Sequence, residues 1–128
     1  MYKIILMSVV LFISPALLAR EMNIDYCSTT ESWAIQRTIE ELKTSNNDLD
    51  FKRITVEILN LSALKEDEKT IKVNGFGVLY AQTLKVIIPH LNNSQDKEVL
   101  LVTSIISDEE CSISQPLITN ITELRIGK

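Results

Sequence analysis

The strongest pattern in this chain of 128 residues lies in Glu98-Val-Leu-Leu-Val-Thr-Ser-Ile-Ile-Ser-Asp-Glu-Glu-Cys111. The first ten residues of this stretch predict a β-strand that is apolar on both faces. One face carries Val99, Leu101 and Ile105, and the other carries Leu100, Val102 and Ile106. Because a strand of this kind must be covered on both sides, we expect it to be internal to the sheet. Three consecutive acids and one of the two cysteines in the chain then follow.

The first residues have the pattern of an export signal. Lys3 precedes a nearly all-apolar run, which Pro15 interrupts and the small residue Ala19 ends. We expect residues 1–19 to be removed on export, with cleavage after Ala16 as the alternative, and the protein to be periplasmic or secreted. Because the apolar run is too short to span a bilayer comfortably, no integral membrane segment is expected after cleavage.

The mature chain, residues 20–128, is acidic and has the size of a single small domain. Loss of the signal removes Lys3 and no acid, so 12 of the 13 Lys+Arg remain against 17 Asp+Glu, and the formal net charge is −5. Nucleic acid and anionic lipid are bound through basic patches, so neither is an expected partner. The charge instead suits a basic protein as the partner.

Cys27 and Cys111 are predicted to form a disulfide. Two cysteines in an exported chain most simply pair with each other. The bridge would enclose most of the mature chain, and the chain-entropy estimate for such a loop is about 4–5 kcal/mol. The alternatives are two buried free thiols and a redox-active pair, and a redox pair would lack the usual C-x-x-C spacing.

Apolar residues at helical spacing follow the first cysteine. The segment Ser28-Thr29-Thr30-Glu31 matches the capping box, so a helix is predicted over residues 29–44. The apolar stripe of this helix consists of Ile35, Ile39 and Leu42. We expect the stripe to pack against the sheet residues Ile54, Val56 and Ile58.

Trp33 lies on a different side of the predicted helix, roughly 160° from Ile35. In one interpretation it is covered by the segment near Cys27 and Cys111 or by the C-terminal tail, because tryptophan is usually largely buried. In the other it is exposed and anchors a partner, because tryptophan is enriched in interface hot spots. Trp33 is therefore a candidate partner-binding residue.

Alternating apolar residues predict three longer strands, over residues 51–61, 77–89 and 97–107. Asn74-Gly75 favours a tight hairpin before the second strand, with a bulge in one bent strand as the alternative. The apolar residues after Cys111 are expected to pack back as a short strand or a helical turn. The fold class is therefore α+β, with one N-terminal helix packed on an antiparallel sheet of about four strands and closed by one disulfide. In architecture alone, this order resembles cystatin-like and other helix-on-sheet folds.

The sequence contains no catalytic motif. His90 is the only histidine and is expected to be an ordinary exposed loop residue. Because a metal site built on histidine or cysteine would need further ligands and both cysteines are expected in the bridge, no metal site is predicted. Three glycines are too few for a phosphate cradle, and no Gly-x-Ser-x-Gly is present. We therefore expect no catalytic residue and no cofactor, and a protein that is not an enzyme. A small hydrolase with a carboxylate pair from distant positions is the alternative.

Two acidic stretches are the remaining candidates for a functional surface. They consist of Glu66, Asp67 and Glu68, and of Asp108, Glu109 and Glu110. The first stretch is predicted to be a solvated loop. Acidic surfaces suit a non-enzymatic protein-binding domain, such as an inhibitor or immunity-type protein for a basic partner. The alternative is a secreted effector or a subunit of a surface or secretion assembly, which would use its apolar tail or an edge strand for strand addition.

Overall fold

The computed structural model describes residues 24–123 and shows in them one α-helix, two 3₁₀ helices and seven strands. The helix, α1, spans Trp33–Ser45, and the 3₁₀ helices span Ile24–Ser28 and Phe51–Arg53. The strands are β1 (Thr55–Ala63), β2 (Lys65–Glu66), β3 (Lys69–Thr70), β4 (Lys72–Val73), β5 (Gly77–Pro89), β6 (Lys97–Ser107) and β7 (Leu117–Asn120). No helix within these residues is long and apolar enough to cross a bilayer. The predicted signal peptide, residues 1–19, lies outside the described residues.

The sheet is built around the hairpin of β5 and β6. Its strand order is β1-β5-β6-β7, and β4 also pairs with β5. Every pairing is antiparallel, and the β5–β6 register runs without a break from Leu79 opposite Ser107 to Pro89 opposite Lys97. The predicted α+β class is confirmed, as are the internal position of β6, the hairpin at Asn74-Gly75 and a short strand after Cys111.

The main apolar core lies between α1 and one face of the sheet. Its buried members are Ala34, Ile35, Leu49, Leu84, Val86, Ile88, Leu100 and Val102. On the opposite face of the sheet, Val99 is buried but Leu101 and Ile105 are only half-buried, so the prediction that both faces of β6 are covered holds only in part for the described residues. The physical reason is the composition of that face, where Thr83, Lys85 and Thr103 tolerate contact with water.

The predicted capping box at the start of the helix is wrong. The hydroxyls of Ser28 and Thr29 donate backwards, to the carbonyl oxygens of Asp25 (2.9 Å) and Tyr26 (2.8 Å). They therefore close the turn that follows Cys27 and are not available as caps. The helix begins later, at Trp33, and its N-cap residue Ser32 is buried and makes no side-chain capping bond.

The first long strand also begins later than predicted. Residues 51–53 form a 3₁₀ turn, in which the Asp50 carboxylate accepts a hydrogen bond from the backbone N–H of Lys52. Strand β1 then contains a β-bulge, since Ile58 lies opposite Leu84 but Asn60 lies opposite Thr83. The extra residue, Leu59, reverses the alternation of side chains along the strand.

The bulge determines which β1 side chains reach the core. Ile54 and Val56 pack on the main core as predicted, together with Ile39 and Leu42 of α1. Ile58 does not, because it is 42% exposed at the edge of the sheet. Beyond the bulge, Leu61 returns to the helix side, opposite the buried Gln82.

The predicted disulfide joins Cys27 to Cys111, with a Cα–Cα distance of 5.4 Å and a sequence separation of 84. Both cysteines are buried and form a second cluster with Ile106. Gln82 lies beside this cluster, and its Nε2 donates to the carbonyl oxygen of Cys27 at 3.3 Å. The bridge therefore connects the turn before α1 to the end of β6.

At the opposite end of the sheet, His90 and Glu98 form a partly buried pair. Nε2 of His90 lies 3.2 Å from Oε2 of Glu98, and their side chains are 25% and 21% exposed, so the expectation of an ordinary exposed loop histidine is wrong. Oε1 of Glu98 accepts hydrogen bonds from Asn120 (2.8 Å) and Thr122 (3.3 Å). The carboxylate thus attaches the segment at the end of β7 to β6.

Removal of the bridge should strongly destabilise the fold. We expect the double variant Cys27→Ser, Cys111→Ser to lose about 4 kcal/mol of unfolding free energy, because the unfolded chain regains the entropy of a long open loop. Urea denaturation of the mature protein measures this loss. Mass spectrometry after alkylation without reductant is the control for bridge formation. Equal urea midpoints for the two proteins would contradict the expected loss.

The Glu98 network predicts a stability that depends on pH. Hydrogen bonds from Asn120, and then from His90 and Thr122, lower the pKa of Glu98 below its ordinary value of 4.5, although burial opposes them. The folded state thus favours the ionised form. Its contribution is complete above the ordinary pKa and is lost as the pH falls through the lowered pKa. Urea midpoints of Glu98→Gln should fall below those of the unmodified protein at neutral pH and converge with them in acid. Glu41→Gln, a change to an exposed helix carboxylate, is the control and should show no such convergence.

Candidate functional site

Three segments that are far apart in sequence meet at the end of the sheet where β6 finishes. They are the cysteine bridge, the turn at residues 108–110 and the hairpin of β4 and β5. The register of β5 and β6 places Leu79 opposite Ser107, so the start of β5 lies beside the acidic turn. At Gly77, a Cβ atom would lie only 3.2 Å from Oδ1 of Asp108. The acidic turn and the hairpin are therefore in direct contact.

The acidic turn holds two carboxylates towards solvent. The backbone N–H of Ser107 donates to the carbonyl oxygen of Glu110 at 2.9 Å, and the Ser107 hydroxyl accepts from the N–H of Glu109 at 3.1 Å. The Glu110 carboxylate accepts from the hydroxyl of Ser112. Asp108 and Glu109 are exposed, and neither forms an ion pair with a residue in the described part of the chain.

An exposed aromatic residue precedes Gly77, the residue that contacts the acidic turn. Phe76 is 39% exposed and Val73 is 38% exposed, at the tip of the β4–β5 hairpin. The turn is closed by a hydrogen bond from the N–H of Phe76 to the carbonyl oxygen of Val73 (2.9 Å). Since Gly77 follows Phe76 and contacts Asp108, the hairpin tip and the acidic turn form one surface. We call Val73, Phe76, Asp108 and Glu109 the bridge-end surface.

Phe76 is a surface residue that was not predicted from the sequence. The signal that was available is Asn74-Gly75, because a tight turn at this pair places its flanking residues at an exposed tip. The contact of the hairpin with the acidic turn, through Gly77, could not be read from the sequence, because that contact depends on the register between β5 and β6.

Trp33 packs against the bridge. It lies against the buried cluster of Cys27, Cys111 and Ile106, so the interpretation that the segment near the bridge covers it is confirmed. Its Nε1 is buried and has no hydrogen-bond partner among the described residues. The guanidinium of Arg37 lies 5.4 Å from the centre of the indole ring. Trp33 thus belongs largely to the protein's own core, and its role as a partner anchor stays a prediction.

The other acidic stretch, residues 66–68, is a hairpin turn and not the predicted loop. Asp67 and Glu68 have positive φ values of 52° and 65°, which produce a two-residue turn between β2 and β3. Three lysines flank this turn in sequence, since Lys65, Lys69 and Lys72 occupy β2, β3 and β4. Their formal charge balances that of the three acids, whereas no lysine or arginine lies near Asp108 and Glu109 in the sequence.

The described residues contain no group of three or more His, Cys, Asp or Glu side chains that could hold a metal ion. The arrangement at the bridge-end surface offers carboxylates and an aromatic ring for contact with a partner. Comparisons with models of known protein families, with curated proteins and with solved structures find no match.

The two glycines of the β4–β5 turn offer a matched test of the contact with Asp108. Both have positive φ values, 89° at Gly75 and 85° at Gly77, so alanine at either position is strained by about 1–2 kcal/mol. Open space surrounds Gly75, whereas a Cβ at Gly77 would crowd Asp108. We expect Gly77→Ala to destabilise the protein more than Gly75→Ala in urea denaturation. Adding Asp108→Ala to Gly77→Ala should remove the additional loss of unfolding free energy. Equal losses of unfolding free energy in the two single glycine variants would contradict the contact between Gly77 and Asp108.

Proposed function

We propose that this protein is a small exported, non-enzymatic domain that binds a basic protein through the bridge-end surface. The observation that supports this proposal is the contact between the β4–β5 hairpin, whose tip carries the exposed Phe76, and the turn that carries the unpaired carboxylates of Asp108 and Glu109. An aromatic ring supplies apolar contact area, and the carboxylates supply charge complementarity to lysine or arginine.

Export is supported by two independent features. The pattern of residues 1–19 is that of a signal peptide. The buried bridge between Cys27 and Cys111 suits a compartment in which thiols oxidise. Both features are consistent with a protein that meets its partner in the periplasm or outside the cell.

The negative charge of the protein favours a basic partner both at long range and at the contact surface. The formal net charge of −5 in the mature chain attracts a basic protein from afar and accelerates encounter. At contact, the hydrogen bonds within the acidic turn present Asp108 and Glu109 in a fixed geometry, which lowers the entropy lost on binding. A domain with these properties would act as an inhibitor or immunity-type protein by covering a basic functional surface.

A second candidate function follows from the open edge of β1. This strand is nine residues long, lies at the edge of the sheet and contains one charged residue, Glu57. Ile58 and Leu59 are 42% and 49% exposed there. Long apolar edges invite an added strand, so this edge favours a subunit of a surface or secretion assembly or a secreted effector.

Capture of the partner by the mature protein from the exported fraction, followed by titration of the purified pair, tests the proposal. We expect Phe76→Ala to weaken binding by about tenfold or more, as for a hot-spot residue. The double variant Asp108→Asn, Glu109→Gln should weaken binding and reduce its dependence on salt. Leu91→Ala and Glu41→Gln remove an exposed apolar residue and an exposed acid elsewhere, and both should bind normally.

The same titration distinguishes the two candidate functions. Loss of binding in Leu59→Lys, together with normal salt-insensitive binding of the bridge-end variants, would overturn the proposed surface in favour of strand addition at β1. A zero-length carbodiimide cross-link between Asp108 or Glu109 and a partner lysine would locate the contact directly.

A further inference from the structure

We propose that Asn74 is a site of spontaneous deamidation, which converts the tip of the β4–β5 hairpin from a neutral turn into an additional carboxylate on the bridge-end surface. The modification itself depends only on the geometry of the turn. Its consequence for a basic partner rests on the proposed function.

The geometry of the turn exposes the reacting atoms. Asn74 and Gly75 lie between Val73 and Phe76, the two residues that the turn hydrogen bond joins. Gly75 has a φ of 89°, and no heavy atom of any residue beyond its two chain neighbours lies within 4 Å of the place where a side chain would begin. Its backbone nitrogen donates no hydrogen bond to the described residues. Nothing around Gly75 therefore blocks the approach of this nitrogen to the side chain of Asn74.

The reaction needs only water. The backbone nitrogen of Gly75 loses its proton and attacks Cγ of Asn74, which forms a new C–N bond. The bond between Cγ and Nδ2 of Asn74 then breaks, and the side-chain amide nitrogen takes up a proton and leaves as ammonia. The product is a five-membered succinimide. Water then adds to one of its two carbonyl carbons and breaks one C–N bond, which produces aspartate or isoaspartate. One water is consumed and one ammonia is released overall, with no change in oxidation state.

Other asparagines are held away from this reaction. The side-chain oxygens of Asn46, Asn93 and Asn120 each accept a backbone N–H two residues ahead, at 2.8, 3.0 and 2.9 Å. These bonds fix the side-chain amide in an Asx turn. Each of the three is also followed by a residue with a side chain, which hinders the attacking nitrogen. Asn74 makes no such bond and precedes glycine, so it combines both permissive features.

The product changes the charge of the proposed surface. A carboxylate at position 74 would stand at the tip that carries Phe76, on the hairpin that contacts Asp108 through Gly77. No cation is paired with either of those acids in the described residues, so the new charge adds to theirs. The bridge-end surface would thus become more acidic with the age of the protein and attract a basic partner more strongly.

Peptide mapping of the folded mature protein tests the modification. The protein, with its bridge intact, is incubated in mildly alkaline buffer, and the conversion at each asparagine is followed by mass spectrometry. We expect the peptide with Asn74 to convert severalfold faster than those with Asn93 or Asn120, and faster still as the pH rises. Gly75→Ala should slow the conversion severalfold, with circular dichroism as the control for folding. Conversion at Asn93 or Asn120 ahead of Asn74, or conversion of Asn74 only in reduced and unfolded protein, would overturn the proposal.

A separate measurement tests the consequence. Binding of immobilised poly-lysine is compared for Asn74→Asp and for Asn47→Asp, which has the same net charge but places it on an exposed loop elsewhere. We expect tighter, salt-sensitive binding for Asn74→Asp alone. Equal binding by both variants, with confirmed deamidation of Asn74, would overturn the role of the bridge-end surface and leave the modification intact.

Discussion

The bridge between Cys27 and Cys111 is the constraint on which the rest of the structure depends. It ties the 3₁₀ turn before α1 to the segment just after β6, across 84 positions of sequence. Because Cys27 is fixed there, the chain must turn before it enters the helix, and α1 begins only at Trp33. The same bond fixes the chain just after the acidic turn, while the register of β5 and β6 places that turn beside the hairpin of β4 and β5. The helix start and the candidate surface therefore both lie next to the bridge.

Polar side chains divide the interior between α1 and the sheet into two parts. Gln82 and Ser104 are buried opposite each other on β5 and β6, between the main core and the cluster around the bridge. Gln82 compensates for its burial by donating to the carbonyl oxygen of Cys27. The main core supplies the larger apolar area, while the bridge cluster positions the end of the sheet that carries the candidate site. The larger apolar core and the proposed binding surface thus lie towards opposite ends of the same two strands.

The proposed surface combines a fixed acidic turn with the tip of a hairpin. Asp108 and Glu109 are presented by backbone hydrogen bonds, and Phe76 is presented by a tight turn, so neither group needs a large rearrangement to meet a partner. The charged hairpin of β2 and β3 contributes less, because its lysines balance its acids. Deamidation at Asn74 would add charge where negative charge is already unpaired. Deamidation of the turn and the negative charge already on the surface would therefore both strengthen the attraction of a basic partner.

Local patterns in the sequence determined the α+β class, the two long strands, the Asn-Gly hairpin and the pairing of the only two cysteines. Alternation, turn chemistry and a cysteine count need no knowledge of distant residues. Only the tertiary structure decided the late start of α1, the bulge in β1, the exposure of Ile58 and the hairpin turn at residues 66–68. It also decided that the β4–β5 hairpin contacts the acidic turn at Asp108, close to the bridge at Cys111. These features depend on strand register and on a bond across nearly the whole described chain, and no short window of sequence contains both partners.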